Sequence, residues 1–314
     1  MAGLEYSIVI PIFNEEESLP ELTRRLGELL DRLDGPAEVI YVDDGSTDRS
    51  YEVMQEAHRG DSRFKLIRFS RNFGHEMATT AGLDAATGAA AVVMDADLQD
   101  PPELVLELAA RWREGYDVVY AVRGERPGET RLKKATSNAY NRVLRRMTKF
   151  EMPLNVGDFR LVDRRALDAF RAMREQNRYV RGMFSWVGFR QVGVPFQRDE
   201  RFAGETKYPL GKLLGLAIDG IVSFSGYPLR FALNLGFIVA GFSFLLGIVF
   251  LVMKFAGFWE VPGLASIAVF VAFLGGIQLF LLGIMGEYVA RIHDEVKRRP
   301  LYLVSETQGL EPPS

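Results

Sequence analysis

The chain has 314 residues, which suffices for two domains or for one domain with an appendage. Its 38 Lys and Arg residues against 41 Asp and Glu residues leave a net charge of −3, so the overall charge favours no nucleic-acid partner and we expect none. The lack of cysteine excludes disulfides, thiolate metal ligands and a cysteine nucleophile, and three scattered histidines do not predict a histidine metal site.

The first part of the chain alternates between strand and helix patterns. Short apolar runs that end at polar residues predict strands at 7–13, 38–42, 65–69, 89–94 and 117–122. One face of the first intervening helix carries six leucines: Leu19, Leu22, Leu26, Leu29, Leu30 and Leu33. The alternation predicts an α/β domain with a mostly parallel sheet.

Turn and cap residues separate these elements. Ser46, Thr47 or Asp48 is expected to cap the second helix, and Gly88 is expected to end the third. After the fifth strand, the pattern predicts a polar loop at 124–131 and a basic helix at 131–149. A short helix at 163–173, an aromatic and basic stretch at 179–189 and a short strand at 192–197 are expected to follow.

Asp95 and Asp97 end the most apolar of the predicted strands, and Pro101 and Pro102 open the next helix. The two-residue period of a strand would place both carboxylates on one face, at the sheet edge where α/β proteins bind ligands. Hard oxygen donors suit Mg²⁺ or Mn²⁺, which in turn would hold a diphosphate. The alternative is a strand-end turn in which an aspartate caps the helix.

Other strand ends also carry acids, namely Glu15 after the first and Asp43 and Asp44 after the second. A nucleotide fits this pattern, because carboxylates accept hydrogen bonds from ribose hydroxyls or base N–H groups. The loop after the first strand has no glycine-rich phosphate cradle, so a metal ion and basic side chains would have to bind the phosphates.

From Tyr208 onward the chain becomes apolar. Residues 208–227 predict an amphipathic segment at a membrane interface. Residues 231–253 and 261–286 carry no charge, and each stretch is longer than the roughly 20 residues that cross a bilayer. Their length argues against the alternative of buried core helices, and the short connection between them predicts a transmembrane hairpin.

Basic residues flank the predicted spans on the side of the α/β domain, with Arg230 before the first span and Arg291 and Lys297 after the second. The positive-inside rule therefore predicts a multi-pass protein of the inner (plasma) membrane, with both termini and the α/β domain in the cytoplasm. The predicted division is 1–207 for the α/β domain, 208–227 for the interfacial segment, 228–290 for the spans and 291–314 for a tail without assigned structure. The apolar faces of the hairpin leave a homo-oligomer open.

Four motifs now resemble a known family: Pro11-Ile-Phe-Asn-Glu15, Asp43-Asp-Gly-Ser-Thr-Asp48, Asp95-Ala-Asp-Leu-Gln-Asp-Pro-Pro-Glu103 and Arg201-Phe-Ala-Gly-Glu-Thr-Lys207. They look like family 2 glycosyltransferases of GT-A (Rossmann-like) fold, and more narrowly like polyprenyl-phosphate glycosyltransferases, the dolichol-phosphate mannose synthases and bactoprenol glucosyltransferases. The two-span hairpin matches the bactoprenol subgroup. The resemblance covers essentially the whole chain, and the one departure is Thr206, where serine is common.

The resemblance implies transfer of a hexose from a nucleotide sugar, with UDP-glucose favoured, to the phosphate of a polyprenyl phosphate such as undecaprenyl phosphate. It implies inversion at the anomeric carbon and dependence on Mg²⁺ or Mn²⁺. The residues implied for the nucleotide sugar are Pro11, Phe13, Glu15, Asp43, Asp44, Asp95, Ala96 and Arg123. Those implied for the metal are Asp95, Asp97 and Gln99, and those for the acceptor phosphate are Arg201 and Lys207. Asp97 and Asp158 would be catalytic.

The role of Asp158 stays open. The family pattern suggests a general base, but a phosphate monoester has a second pKa of about 6 and is mainly a dianion at pH 7. Asp158 could instead orient a sugar hydroxyl, hold Arg160 or cap a turn. Trp186, Tyr179 and Phe184 could stack on the sugar, touch lipid or pack in the interior.

Other functions fit less well. A processive polysaccharide synthase is expected to carry a Gln-x-x-Arg-Trp motif and more spans, and a sugar nucleotidyltransferase would need a glycine-rich first loop. A non-catalytic scaffold or a flippase remains as an alternative from another class. Within the favoured reaction, GDP-mannose or a UDP-linked amino sugar are the alternative donors.

Overall fold

A computed structural model describes residues 3–124, 156–197, 226–256 and 264–310, which fall into two compact units. The first unit comprises the described residues up to 197 and those from Arg299 onward, and the second comprises two long helices. Several predictions lie outside the described residues: Arg201 and Lys207, the interfacial segment up to 225, the basic helix at 131–149 and most of the connection between the spans. The predicted domain boundaries therefore remain predictions.

The described part of the first unit contains eight strands and six helices. In chain order they are β1 (Tyr6–Ile12), α1 (Leu19–Leu30), β2 (Ala37–Asp43), α2 (Ser50–Gly60), β3 (Phe64–Phe69), α3 (His75–Ala85), β4 (Ala90–Val93), α4 (Leu104–Arg113), β5 (Val118–Arg123), β6 (Val156–Asp163), α5 (Arg164–Ala172), α6 (Val180–Trp186), β7 (Gln191–Phe196) and β8 (Val304–Gln308). The five strands predicted from apolar runs, and the short strand near 192, are confirmed.

One sheet joins all eight strands in the order β7-β5-β6-β4-β1-β2-β3-β8. The pairs around β1 and β2 and the β5–β7 pair are parallel, whereas β6 runs antiparallel to both β4 and β5. The mostly parallel α/β sheet is therefore confirmed. Sequence reasoning missed β6 because its buried interior includes Asp158 and Arg160, which hide the apolar pattern of a central strand.

The packing of α1 agrees with the predicted leucine face, whereas the predicted helix ends agree less well with the structure. Five of the six α1 leucines are buried, and Leu33 packs partly buried against the core just beyond the helix. Burying one leucine contributes roughly 1.5–3 kcal/mol. None of the three caps expected for α2 occupies the N-cap position, which is Arg49. Asp48 lies one residue earlier, and its Oδ1 accepts from the N–H of Ser50, the first residue of the helix, at 3.0 Å.

Gly88 does not end α3, which finishes at Ala85. A Cβ atom at Gly88 would lie 2.8 Å from the backbone of both Tyr6 and Ser7. Close approach of this turn to β1, and not a helix cap, therefore requires glycine at this position.

The tail after Pro300, to which the sequence assigned no structure, adds the edge strand β8. This strand pairs antiparallel with β3, and the Ser70 N–H donates to the Leu303 carbonyl at 2.9 Å. Tyr302 stacks on Phe69 with ring centroids 5.1 Å apart, and its hydroxyl donates to Asp84 Oδ2 at 2.8 Å. An exposed sheet edge offers unpaired backbone groups, and a short polar strand can satisfy them without an apolar signature.

The second unit consists of α7 (Tyr227–Phe255) and α8 (Leu264–Lys297), which pack against each other. Within them Tyr227–Val249 and Phe270–Lys297 are long and apolar enough to cross a membrane, and no residue in the most apolar window of either stretch is buried. Phe237, Phe244 and Phe255 are 69%, 70% and 83% exposed. Because the core helix of a soluble protein would hide such side chains, the two helices indicate membrane association.

Candidate active site

The loops after β1 and β2 are tied to each other by reciprocal hydrogen bonds. The Asn14 N–H donates to Ser46 Oγ at 3.1 Å, and the Thr47 N–H donates back to Asn14 Oδ1 at 2.8 Å. The Glu15 N–H donates to Ser50 Oγ at 2.8 Å. Asn14 has φ 55°, which asparagine tolerates better than most residues. The result is a rigid rim at the carboxyl end of the sheet.

Three residues predicted to contact the nucleoside lie on β1 and its loop, with different exposures. Pro11 is buried within the strand, whereas Phe13 is 45% exposed and presents an aromatic ring at the rim. Glu15 is partly exposed, and its carboxylate accepts from Ser18 Oγ at 2.9 Å. Of the three, Phe13 and Glu15 have side-chain surface available to a ligand.

Asp43 and Asp44 have buried carboxylates that organise loops. Asp43 Oδ1 accepts from the Ser46 N–H at 2.8 Å. Asp44 accepts from the N–H groups of Phe73 at 2.6 Å and Gly74 at 2.9 Å, which fixes the start of α3. Burial raises the pKa of Asp44, although these backbone hydrogen bonds oppose the rise. Contact of either carboxylate with a nucleoside stays a prediction.

The antiparallel β4–β6 pairing brings two distant aspartates together. Its register runs from Ala90 opposite Asp163 to Val93 opposite Arg160, so two further positions would set Asp95 opposite Asp158. His75, the first residue of α3, lies between them, with Nε2 3.7 Å from Asp95 Oδ1 and 3.4 Å from Asp158 Oδ2. One ligand atom of each residue lies within 4.8 Å of the others, so the three could hold a metal ion.

These three groups perturb each other's pKa values. Burial alone would lower the pKa of His75, but hydrogen bonding to Asp158 and the charges of both aspartates outweigh it and raise the pKa to about 9. Burial, with repulsion from Asp158, raises the pKa of Asp95 to about 6. Sequence reasoning missed His75 because it searched for several histidines. The sequence feature that could have indicated His75 is its position at the start of a helix that follows a strand.

Asp97 and its neighbours form an irregular loop, because β4 already ends at Val93. The expectation that a strand period aligns the two carboxylates is therefore wrong, and Leu98 has φ 57° in the left-handed region. Asp97 Oδ1 accepts from the Gln99 N–H at 3.1 Å, and Ala96 is buried. Asp97 still lies close enough for its charge to raise the pKa of Asp95.

Asp158 is buried and clamped by Arg181. Its Oδ1 accepts from Arg181 Nε at 2.8 Å and its Oδ2 from Nη2 at 2.7 Å. Burial would raise the pKa of Asp158, but the bonds from Arg181 and His75 hold it well below its usual range. Arg160 is held by the backbone oxygen of Asp158 and not by its carboxylate. So weakly basic a carboxylate favours an orienting role over a general base.

Arg123 ends β5 close to the loop that follows β4. Its Nη2 lies 3.7 Å from Oδ2 of the buried Asp100. A Cβ atom at Gly157 would lie 2.5 Å from the same Nη2, so this glycine makes room for the guanidinium. Among the aromatic candidates, Phe184 is buried and stacked on Phe170, whereas Trp186 is 60% exposed. Trp186 is therefore open to a sugar or to lipid, and Tyr179 is partly exposed.

The donor groups fit the predicted metal. Asp95 and Asp158 offer the hard oxygen ligands that Mg²⁺ and Mn²⁺ prefer, and metal binding by Asp97 and Gln99 stays a prediction. The imidazole of His75 would have to lose its proton before it could bind an ion. Metal binding at this group is therefore consistent with the residues present.

Comparison with known proteins points to one family. Residues 7–171 match the family model described as Glycosyl transferase family 2. The chain is 49% identical to an uncharacterized glycosyltransferase of Bacillus subtilis (strain 168), over 98% of this chain and 95% of the relative. It is 37% identical to the bactoprenol glucosyl transferase of Shigella phage SfII, over 98% of this chain and 100% of the relative.

A solved structure shares the fold of the first unit. Glucosyl-3-phosphoglycerate synthase from Mycobacterium tuberculosis, in complex with Mn²⁺, UDP and phosphoglyceric acid, matches with a TM-score of 0.50. The match has 20% sequence identity and covers 72% of this chain and 80% of the other. At that identity the similarity shows a common fold, and it leaves the substrates of this chain to be argued from its own residues.

Proposed function

The chain belongs to glycosyl transferase family 2 and is a glycosyltransferase of GT-A fold, and we propose that it moves glucose from UDP-glucose to the phosphate of a polyprenyl phosphate. Undecaprenyl phosphate is the acceptor we favour, and the transfer inverts the anomeric carbon. GDP-mannose and UDP-linked amino sugars are the alternative donors. The protein acts at the inner membrane, with its catalytic unit and both termini in the cytoplasm.

The observation that carries this proposal is the end-to-end similarity to a bactoprenol glucosyl transferase. It spans 98% of this chain, and so includes the two apolar helices as well as the sheet. An anchor in the bilayer holds the active site near the head group of a lipid acceptor, which makes the encounter local. Basic residues at both ends of the hairpin support the cytoplasmic orientation.

Donor binding would use the carboxyl edge of β1, β2 and β4. Phe13 and Glu15 lie at the exposed rim for the nucleoside, and Asp95, Asp97 and Gln99 would hold Mg²⁺ or Mn²⁺. When bound, the metal neutralises the charge that develops on the departing nucleoside diphosphate. Arg123, at the end of β5, is the proposed side-chain partner of the diphosphate.

Asp158 is proposed to position its neighbours and not to remove a proton. A phosphate acceptor is already mainly dianionic at pH 7, with a second pKa of about 6. Both carboxylate oxygens of Asp158 are occupied by Arg181, and His75 lies 3.4 Å from one of them. The carboxylate thereby holds Arg181 and His75 in place, and His75 lies next to Asp95.

The test of the proposed function is direct transfer of label. The full chain in detergent is incubated with radiolabelled UDP-glucose, a polyprenyl phosphate and Mg²⁺ or Mn²⁺, and the organic phase is counted. We expect label in the lipid fraction, and its absence with UDP-glucose, GDP-mannose and a UDP-amino sugar alike would favour the scaffold. Label that enters lipid from GDP-mannose but not from UDP-glucose would correct the donor.

Arg201 and Lys207 are proposed to bind the acceptor phosphate, with a juxtamembrane pair that attracts anionic lipid as the alternative. Arg201→Lys and Lys207→Arg retain the positive charge. The first replaces the forked guanidinium by a point-like ammonium group, and the second makes the opposite change. A phosphate clamp would not tolerate either swap, and it predicts that Arg201→Ala and Lys207→Ala each lower turnover at least tenfold, about 1.4 kcal/mol of transition-state stabilisation. Near-normal turnover in both charge-retaining variants, with equal membrane-bound fractions, would favour the lipid-attracting pair.

A further inference from the structure

A small polar cavity lies between β5, β6, β7 and α6, next to the residues that surround Asp158. Its volume is about 40 Å³, which accommodates about three water-sized groups. The polar side chains of its wall are those of Tyr120, Arg160, Tyr179, Arg181, Ser185 and Gln191. Sheet pairing builds part of this wall, because Tyr120 of β5 lies directly opposite both Arg160 of β6 and Gly193 of β7.

Arg160 is a buried cation that forms no ion pair with a described carboxylate, although the charges of Asp158 and Glu76 act on it from farther away. It is 4% exposed, and its Nε and Nη2 donate to the carbonyl oxygens of Asp158 at 3.2 Å and Gly157 at 2.8 Å. Its guanidinium lies 5.1 Å from the centre of the Phe184 ring. Among the described residues no carboxylate lies within 4.0 Å of it, although burying an unpaired charge is costly.

Arg181 adds a second guanidinium to the same wall. Asp158 neutralises it through two hydrogen bonds, so one carboxylate faces two arginines at this point. Glu76 is also near, but its Oε2 accepts from the Val180 N–H at 3.0 Å and forms no ion pair with either arginine. The lining of the cavity therefore includes two guanidinium groups and no carboxylate, and backbone and side-chain hydrogen bonds hold both groups in fixed positions.

The strand order separates this cavity from the nucleoside side of the site. The cavity is built on β5, β6 and β7, whereas the rim for the nucleoside is built on β1 and β2, with β4 and Asp95 between the two. An inverting displacement requires the attacking oxygen to approach opposite the departing diphosphate. An anion in this cavity would therefore lie on the acceptor side.

We propose that the cavity binds the phosphate group of the prenyl-phosphate acceptor, with Arg160 and Arg181 as its two fixed guanidinium donors. The hydroxyls of Tyr179 and Ser185 complete the wall. Nε and Nη2 of both arginines already donate to protein oxygens, so their remaining N–H groups, which include those of Nη1, would donate to the phosphate oxygens. The fixed positions of the two guanidinium groups lower the ordering cost of binding. The assignment rests on the proposed function and identifies a part of the acceptor site within the described residues.

The chemical step balances without a base. One oxygen of the bound phosphate dianion forms the new bond to the anomeric carbon. The bond from that carbon to the donor's diphosphate oxygen breaks, and its electron pair leaves with the nucleoside diphosphate. No proton is transferred, so the cavity needs only cationic donors.

The test compares two buried arginines in the full-length protein in detergent. Arg160→Lys keeps a charge in the cavity but removes the guanidinium N–H groups. Arg178→Lys is the matched control, because Arg178 is 7% exposed, donates to the Met173 carbonyl and lies 4.7 Å from the Phe170 ring, but does not line the cavity. Steady-state rates with a short-chain prenyl phosphate and UDP-glucose give the KM for each substrate separately.

We expect Arg160→Lys to raise the KM for the prenyl phosphate at least tenfold and to leave the KM for UDP-glucose within twofold. Arg178→Lys should leave both within twofold. If Arg160→Lys does not fold, Ser185→Ala should still raise the acceptor KM at least threefold. An unchanged acceptor KM in Arg160→Lys, or in Ser185→Ala where that variant replaces it, overturns the assignment. A rise in the KM for UDP-glucose also overturns the assignment, because it would indicate that the cavity binds the donor.

Two binding experiments distinguish a lipid-linked phosphate from free phosphate. They also distinguish failure of this inference from failure of the proposed function. A prenyl phosphate without donor should raise the melting temperature of wild type and not that of Arg160→Lys. Inorganic phosphate should inhibit in competition with the acceptor, and competition with UDP-glucose alone would overturn the assignment. Failure of the proposed function would instead appear as wild type that labels no prenyl phosphate at all.

Discussion

The Asp158–Arg181 pair should be strongly coupled in stability, and a double-mutant cycle can measure this. The three variants are Asp158→Asn, Arg181→Gln and the combination. Their side chains differ in exposure, 4% for Asp158 and 40% for Arg181. Arg181→Gln leaves a buried carboxylate without its two main donors, whereas Asp158→Asn leaves a cation that can turn toward water.

The expected magnitudes follow from that asymmetry. Removing one partner of a buried pair costs about 3–5 kcal/mol, and partial exposure of Arg181 moves the values to the low end of this range or below it. We expect Arg181→Gln to cost about 3 kcal/mol and Asp158→Asn about 2 kcal/mol. Because both changes break the same two hydrogen bonds, the coupling energy should be about 1.5–2 kcal/mol.

The pH dependence gives an independent check with a defined sign. The pKa of Asp158 is lower in the folded than in the unfolded state, so its stabilisation is present above about pH 4 and is lost as the pH falls toward its folded pKa. The pKa of His75 is raised to about 9, so its contribution is complete below about pH 6.5 and is lost as the pH rises through about 9. The cost of Asp158→Asn should therefore be greatest between about pH 4 and 6.5.

The assay is urea unfolding of the full chain in detergent, followed by tryptophan fluorescence, with reversibility established first. The exposed pair Arg49–Glu52 is the matched control, and its cycle should show no measurable coupling. A coupling energy for Asp158–Arg181 below about 0.5 kcal/mol would refute the interpretation of Asp158 as a clamped, orienting carboxylate. So would an Asp158→Asn variant that is as stable as wild type at pH 6.

Three further predictions test other parts of the molecule. Asp97→Asn should abolish metal-dependent transfer while the melting temperature stays unchanged, and activity that survives EDTA would contradict a metal-dependent reaction. Because the wild type has no cysteine, Gly257→Cys gives a single label site, which an impermeant maleimide should reach from the periplasm of intact cells; labelling only after lysis would contradict the orientation. Tyr302→Ala should lose about 2 kcal/mol of stability with its stacking on Phe69, whereas Leu303→Ala, at a side chain that is 53% exposed, should lose almost none.

Local sequence was enough to predict burial where the period of a strand or helix decides which side chains share a face. The apolar runs of β1, β2 and β4 and the leucine face of α1 bury the residues that the pattern indicates, because strand and helix periods alone decide which side chains share a face. The same holds for the two apolar helices, whose length and composition need no tertiary partner to be recognised.

Only the tertiary structure decided which distant residues meet. His75, Asp95 and Asp158 come together through the start of α3 and the antiparallel register of β4 and β6, and a register between strands so far apart in the chain leaves no local trace. Arg160 is polar within a central strand, and Arg181 lies on α6, so their common cavity follows from packing between strands and helix. The tail strand β8 is defined by the free edge of β3, because backbone groups recruit a strand without regard to its side chains.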